Sequence, residues 1–301
     1  GGQPTGGRGR AVGPGVGADG RVTWGCPCLP VNLLRRVPGQ VWGAVGDSEL
    51  RAIMVTTLVL RKLASDRVGQ AAAVLGVVAP VSMLMLHGAW TEPTLVVLLA
   101  CLVLALERQR HTFVAVLLGL FLVSKQYVVV AVPLLWLIRQ WLTRRVILIG
   151  LGLATAVTVP FFLIDPSSFW KAIVKFQLVQ PFRSDSLSLL VSSVNTFGWP
   201  PPWTDARLPR VGGGLTAIAL ACRAPRTPAA FAAGVGLTLM VTILLSKQAF
   251  MNYYFLVSGA FLISVVAWPT QQPFTPIKQS RALQSPTSTK RAGESGPTSS
   301  E

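Results

Sequence analysis

The 301 residues are 51% hydrophobic and only 13% charged, with a mean hydropathy of +0.55 and a formal charge of +16. Soluble domains are roughly 25% charged, so this balance argues against an ordinary water-soluble domain and for an all-α, polytopic membrane protein. The basic residues stand in short clusters between apolar runs and in both tails, the placement of orienting charges, and no nucleic-acid-binding motif accompanies them.

Residues 1–50 are rich in Gly, Pro and Arg and hold no run long enough to cross a bilayer. They read either as a disordered basic leader or as a stretch that is not the natural beginning of the protein. Residues 51–70 form a short amphipathic segment in which Arg51, Arg61 and Lys62 bracket Ile53–Leu60. A multi-span domain covers 71–268, with apolar runs at Ala71–Leu86, Thr94–Leu106, Thr112–Ile138, Val146–Ile164, Val211–Cys222, Ala229–Leu245 and Ala249–Trp268. Several fall short of the about 20 residues that a full crossing needs. From 269 to 301 the Ser/Thr/Pro/Gln-rich tail has little to bury and reads as disordered. Four cysteines are too few for a disulfide scaffold. Cys101 and Cys222 lie in apolar runs, and Cys26 and Cys28 make a lone C-P-C with no second pair, so no metal site is expected.

Thr112–Ile138 contains Ser124-Lys125-Gln126 in its middle, and the same triplet recurs as Ser246-Lys247-Gln248. One long helix would leave Lys125 at mid-membrane at a cost of at least about 2.5 kcal/mol. Two short helices meeting at the triplet bring Lys125 to the far surface instead. Arg108 and Arg110 precede the run, and Arg139, Arg144 and Arg145 follow it. Short Arg-rich loops stay cytoplasmic, so the chain must go out and return, and a hairpin is expected. The same bookkeeping puts a long external loop at 165–210 and Lys247 outside.

The outer side then holds His87, Glu92, Lys125, Gln126, Asp165, Lys171, Lys175, Arg183, Asp185, Lys247, Gln248 and Asn252. The two triplets admit two readings: helix-end lysines that snorkel to the headgroups, or ammonium and amide groups that hold one phosphate-bearing anion. Glu92 before Pro93 suits a helix N-terminus, and Asp165 before Pro166 suits an N-cap. Beyond it Phe169, Ile173 and Phe176 fall on one face, as in an interfacial helix. Arg183 and Asp185 form either a solvated pair or part of a cavity wall. Asn252, beside Tyr253 and Tyr254, is harder to explain as part of an aromatic belt.

The segment "LFLVSKQYVVVAVPLLWLIRQWLTRR", with "SKQAFMNYYF" and "WTEP", resembles the GT-C-type integral membrane glycosyltransferases, in particular the bacterial polyprenol-phosphate-mannose-dependent branch, over about residues 71–268. The resemblance implies a multi-pass cell-membrane enzyme, as in a bacterial inner membrane. It would move a hexose, mannose first, from a polyprenyl-phosphate sugar donor to an extracytoplasmic glycan or lipid acceptor, with no metal or nucleotide cofactor. It implies a donor-phosphate role for Lys125. The local argument adds Lys247, with Gln126, Gln248, Asn252 and Arg183 in support. The family's acidic base follows a first span, and residues 1–50 have no such pattern, so the front of the natural protein is expected to be absent or misread. Glu92 and Asp165 are the substitutes available. A transporter or lipid flippase is the rival reading, and a non-catalytic scaffold the third.

Overall fold

The computed structural model describes residues 15–16, 22–23, 45–78, 82–85, 90–175, 184–198 and 207–268. Within them the chain is helical apart from one small antiparallel ladder, Gly15–Val16 (β1) against Val22–Thr23 (β2). The helices are α1 (Val45–Leu63), α2 (Arg67–Val78), α3 (Glu92–Glu107), α4 (His111–Leu122), a 3₁₀ segment (Gln126–Trp141) and α5 (Arg144–Ile164). Then come α6 (Pro166–Trp170), which passes into a π-wound turn (Lys171–Lys175), α7 (Leu189–Phe197), α8 (Arg207–Arg223), α9 (Pro228–Leu244) and α10 (Met251–Ala267).

At the front of the chain the ladder lies within the leader expected to be disordered or misread, and α1 crosses the boundary placed at residue 50. Arg61 and Lys62 in its last turn complement the helix dipole. Glu49, Ile53, Leu60 and Leu63 recur at helical spacing and are buried, and α1 packs on α3. Residues 51–63 therefore belong to the core rather than to a separate segment. Of the apolar run expected at 71–86, α2 covers the residues up to Val78 and a helical turn occupies 82–85.

Apolar around its whole circumference, α3 sits at the centre, in contact with α1, α4, α9 and α10. The hairpin expected at Ser124-Lys125-Gln126 is present: α4 ends at Leu122, and the 3₁₀ segment starts at Gln126. That segment buries Val128, Ala131, Leu134 and Leu137, a spacing of three that matches a helix of three residues per turn. It kinks at Ile138, where φ is −112° and ψ is 16°. At about 2.0 Å per residue its sixteen residues reach about 32 Å, as far as the twenty-one α-helical residues of α5 at about 1.5 Å each.

α5 is held mainly by α4. A Cβ on Gly119 would stand 2.6 Å from the Gly150 carbonyl oxygen, and one on Gly150 would stand 3.0 Å from that of Ala115. The backbones of α4 and α5 thus touch through small residues. Elsewhere α5 is uncovered, with Leu148, Leu151, Leu163 and Ile164 exposed. Among the described residues it is the one helix both long and apolar enough to cross a membrane; α4, α9 and α10 are shorter apolar helices.

Candidate functional site

Chain direction gathers one set of helix ends together. The starts of α8, α10 and the 3₁₀ segment and the end of α9 surround a cavity of about 420 Å³. Its polar rim comprises Gln126, Arg210, Lys247 and Gln248. Val129, Val130, Leu239 and Ile243 line its apolar part, and Ile173 and Val174 reach it from the π-wound turn after α6.

Both triplets end a helix in a similar way. The Ser124 backbone N–H turns back to Phe121 O at 3.3 Å, and the Ser124 hydroxyl donates to Leu120 O at 2.6 Å. The Ser246 hydroxyl, with one hydrogen to give, lies 2.8 Å from both Ile243 O and Gln248 O. Each serine thus engages a carbonyl of a helix C-terminus, where such groups lack intrahelical donors.

The lysines diverge. The Lys125 side chain, only 14% exposed, lies with Nζ 3.4 Å from Oε1 of Glu92, which is 1% exposed. Tyr127 donates its hydroxyl to the same Oε1 at 3.4 Å and stacks edge-on against Tyr253, with centroids 5.5 Å apart. Lys125 is therefore committed to a buried ion pair and is not among the residues lining the cavity, whereas Lys247 is. The two ammonium groups are not brought to one anion as the repeated triplet suggested. Tyr127 and Tyr253 line the cavity, so the Tyr127 phenol stands between it and Glu92.

Of the other expected site residues, Gln126 and Gln248 reach the rim, as noted. Asn252 is buried at the start of α10, where its Oδ1 has no hydrogen-bond partner among the described residues, and it is not part of the lining. Asp165 caps α6, accepting from Ser168 N at 2.9 Å. Hydrogen bonds from Ser168, side chain first and then backbone, hold the Asp165 carboxyl below the ordinary aspartate value. Neither Glu92 nor Asp165 lines the cavity, and no carboxylate is among its described lining residues. Arg183, His87 and Phe176 lie outside the described residues. Among the described residues no three His, Cys, Asp or Glu side chains gather where a metal could bind.

Arg210 was not singled out from sequence. Its signal was available: it precedes a span on the end that the Arg clusters otherwise avoid. The segment before α7 is tied to the second triplet by Leu187 N donating to Ala249 O at 2.9 Å and Ala249 N donating to Ser186 Oγ at 2.6 Å. Tyr254 adds a hydroxyl hydrogen bond to Leu187 O at 2.5 Å. No protein-family model, curated protein or solved structure matches the chain.

Proposed function

We propose that the chain is a multi-pass membrane glycosyltransferase that moves a hexose, mannose first, from a polyprenyl-phosphate donor to an acceptor on the side opposite the arginine turns. The observation that carries the reading is the cavity, where Lys247 and Arg210 stand over an apolar wall in a space of about 420 Å³. A lipid phosphate has that polarity: an anionic head for two cations and a chain for Val129, Leu239 and Ile243. The uncovered apolar surface of α5 supports a bilayer setting, since large exposed apolar patches in water are rare. Arg108 and Arg110, Arg139, Arg144 and Arg145, and Arg223 and Arg226 occupy the turns at the opposite end, in keeping with a cytoplasmic face.

In such a transfer the acceptor oxygen attacks the sugar C1, the C1–O bond to phosphate breaks, and the polyprenyl phosphate leaves with the bonding electrons. Lys247 and Arg210 would stabilise the charge that develops on that phosphate. A carboxylate must take the acceptor proton. Glu92 is one hydroxyl away from the cavity through Tyr127, and Asp165 is engaged in capping. The test is transfer from polyprenyl-phosphate-mannose in membranes carrying the unmutated chain, Lys247→Ala or Arg210→Ala. Each variant is expected to lose about tenfold or more, the scale of one charge-assisted contact; unchanged transfer by both overturns the reading.

One observation favours a transporter or lipid flippase instead: a buried ion pair beside a broken helix, Glu92 with Lys125. Lipid translocation by the purified chain without sugar transfer would decide for it.

A further inference from the structure

We propose that the arginine end carries a binding site for one acidic phospholipid, built around the indole of Trp136. The proposal rests on the bilayer setting above but not on the transfer reaction. The Arg139 guanidinium lies 4.4 Å from the Trp136 ring centroid and that of Arg226 lies 5.9 Å from it. The two arginines come from different turns, and Gln140 Nε2 donates to Arg226 O at 3.4 Å, joining those turns. Both are exposed, and Trp136 is 49% exposed.

Stacking on one ring offsets part of the repulsion between two guanidinium ions, but it leaves their planar N–H forks open. An anion bridging both forks removes the remaining repulsion, and a phosphodiester presents the paired oxygens that guanidinium matches. Of the described acidic residues on α3 to α10, Glu107 is the one at this end, against seven arginines there (Arg108, Arg110, Arg139, Arg144, Arg145, Arg223 and Arg226). Away from the charges, Val132 and Trp136 are exposed on the 3₁₀ segment's apolar stretch, while Val129 beyond them belongs to the cavity end. A headgroup at the guanidinium pair therefore has apolar surface beside it for an acyl chain, and tryptophan with arginine suits the depth of a headgroup. That combination selects a lipid over a free phosphate.

The test uses the full chain, purified in detergent with equimolar phosphatidylglycerol and phosphatidylcholine, with retained lipid counted by native mass spectrometry. One phosphatidylglycerol is expected to be kept in preference. Arg139→Ala with Arg226→Ala should lower its retention about tenfold, the scale of losing charge-assisted hydrogen bonds. Arg144→Ala with Arg145→Ala removes the same charge from the same end and should leave retention nearly unchanged. Arg139→Lys with Arg226→Lys preserves charge without the planar forks and should fall between. Equal loss in the two alanine pairs, no preference in the unmutated chain, or full displacement by excess inorganic phosphate each overturns the site. Flotation of the unmutated chain with phosphatidylcholine vesicles separates the two levels: a chain that does not float fails the bilayer reading, and one that floats without retaining the anionic lipid fails this proposal alone.

Discussion

Ser124-Lys125-Gln126 and Ser246-Lys247-Gln248 are the same three letters after apolar helices, yet they hold their charges in opposite environments. The first sits in a break of only three residues, 123–125, with Lys125 in extended backbone (φ −147°, ψ 139°). A buried carboxylate lies within 3.4 Å of its Nζ. The second lies in a six-residue link between α9 and α10, long enough to place Lys247 and Gln248 on the cavity rim while Ala249 pairs with Leu187. A short sequence thus sets the serine's role locally, but the fate of the lysine is decided by loop length and by what stands opposite.

The largest test of that difference removes one side of the buried pair. Lys125→Met should destabilise the fold by about 3–5 kcal/mol, because Glu92 is left charged and buried without its cation. Combining it with Glu92→Leu should recover most of the loss, and denaturant titration in detergent reads both. If Lys125→Met costs no more than Lys247→Met, the contrast between the triplets fails.

The shared feature predicts a smaller and equal effect. Ser124→Ala and Ser246→Ala should each cost about 1 kcal/mol in the same titration, the scale of one lost hydrogen bond. A large gap between them would show that the serines are not equivalent either. Smaller still, Lys247→Met should change stability by less than about 0.5 kcal/mol, as partly exposed positions away from buried networks usually do, while reducing retention of a polyprenyl phosphate. The finest test concerns the neighbouring cap at Asp165. Its carboxyl is depressed when folded, so its contribution is complete above the unfolded aspartate value, about pH 4, and fades as pH falls through the lower folded value. Protection of the Ser168 amide from hydrogen exchange, taken relative to its intrinsic rate at each pH, should therefore fall selectively at acid pH, and Asp165→Asn should flatten that dependence.

Much of the helix layout was legible because runs of apolar residues end at Pro, Thr or Arg. Thr143 and Thr227 cap α5 and α9, accepting from Val146 N and Ala230 N, and Pro166 opens α6. The hairpin at Lys125 followed from charge alone. The pairing of Lys125 with Glu92 did not, because nothing local to either residue records what lies across the bundle. The winding of the 3₁₀ segment was hidden for another reason: in Val128–Leu137 every position is apolar or Pro, so no polar residue marks which face is buried. α1 was cut short because Arg51 looked like a boundary, whereas it is exposed on a helix whose opposite face is packed. Arg210 stayed unnoticed because a cation beside a long loop is unremarkable until Lys247 is seen across the same cavity.

The stretched winding between Gln126 and Trp141 makes that segment a potential source of stroke. Rewinding its sixteen residues from about 2.0 Å to about 1.5 Å of rise each would shorten it by about 8 Å. With Gln140 bonded to Arg226 O at the other end, the contraction would draw Gln126 and Tyr127 down from the cavity mouth, so a change of helix type alone would alter the depth of the chamber.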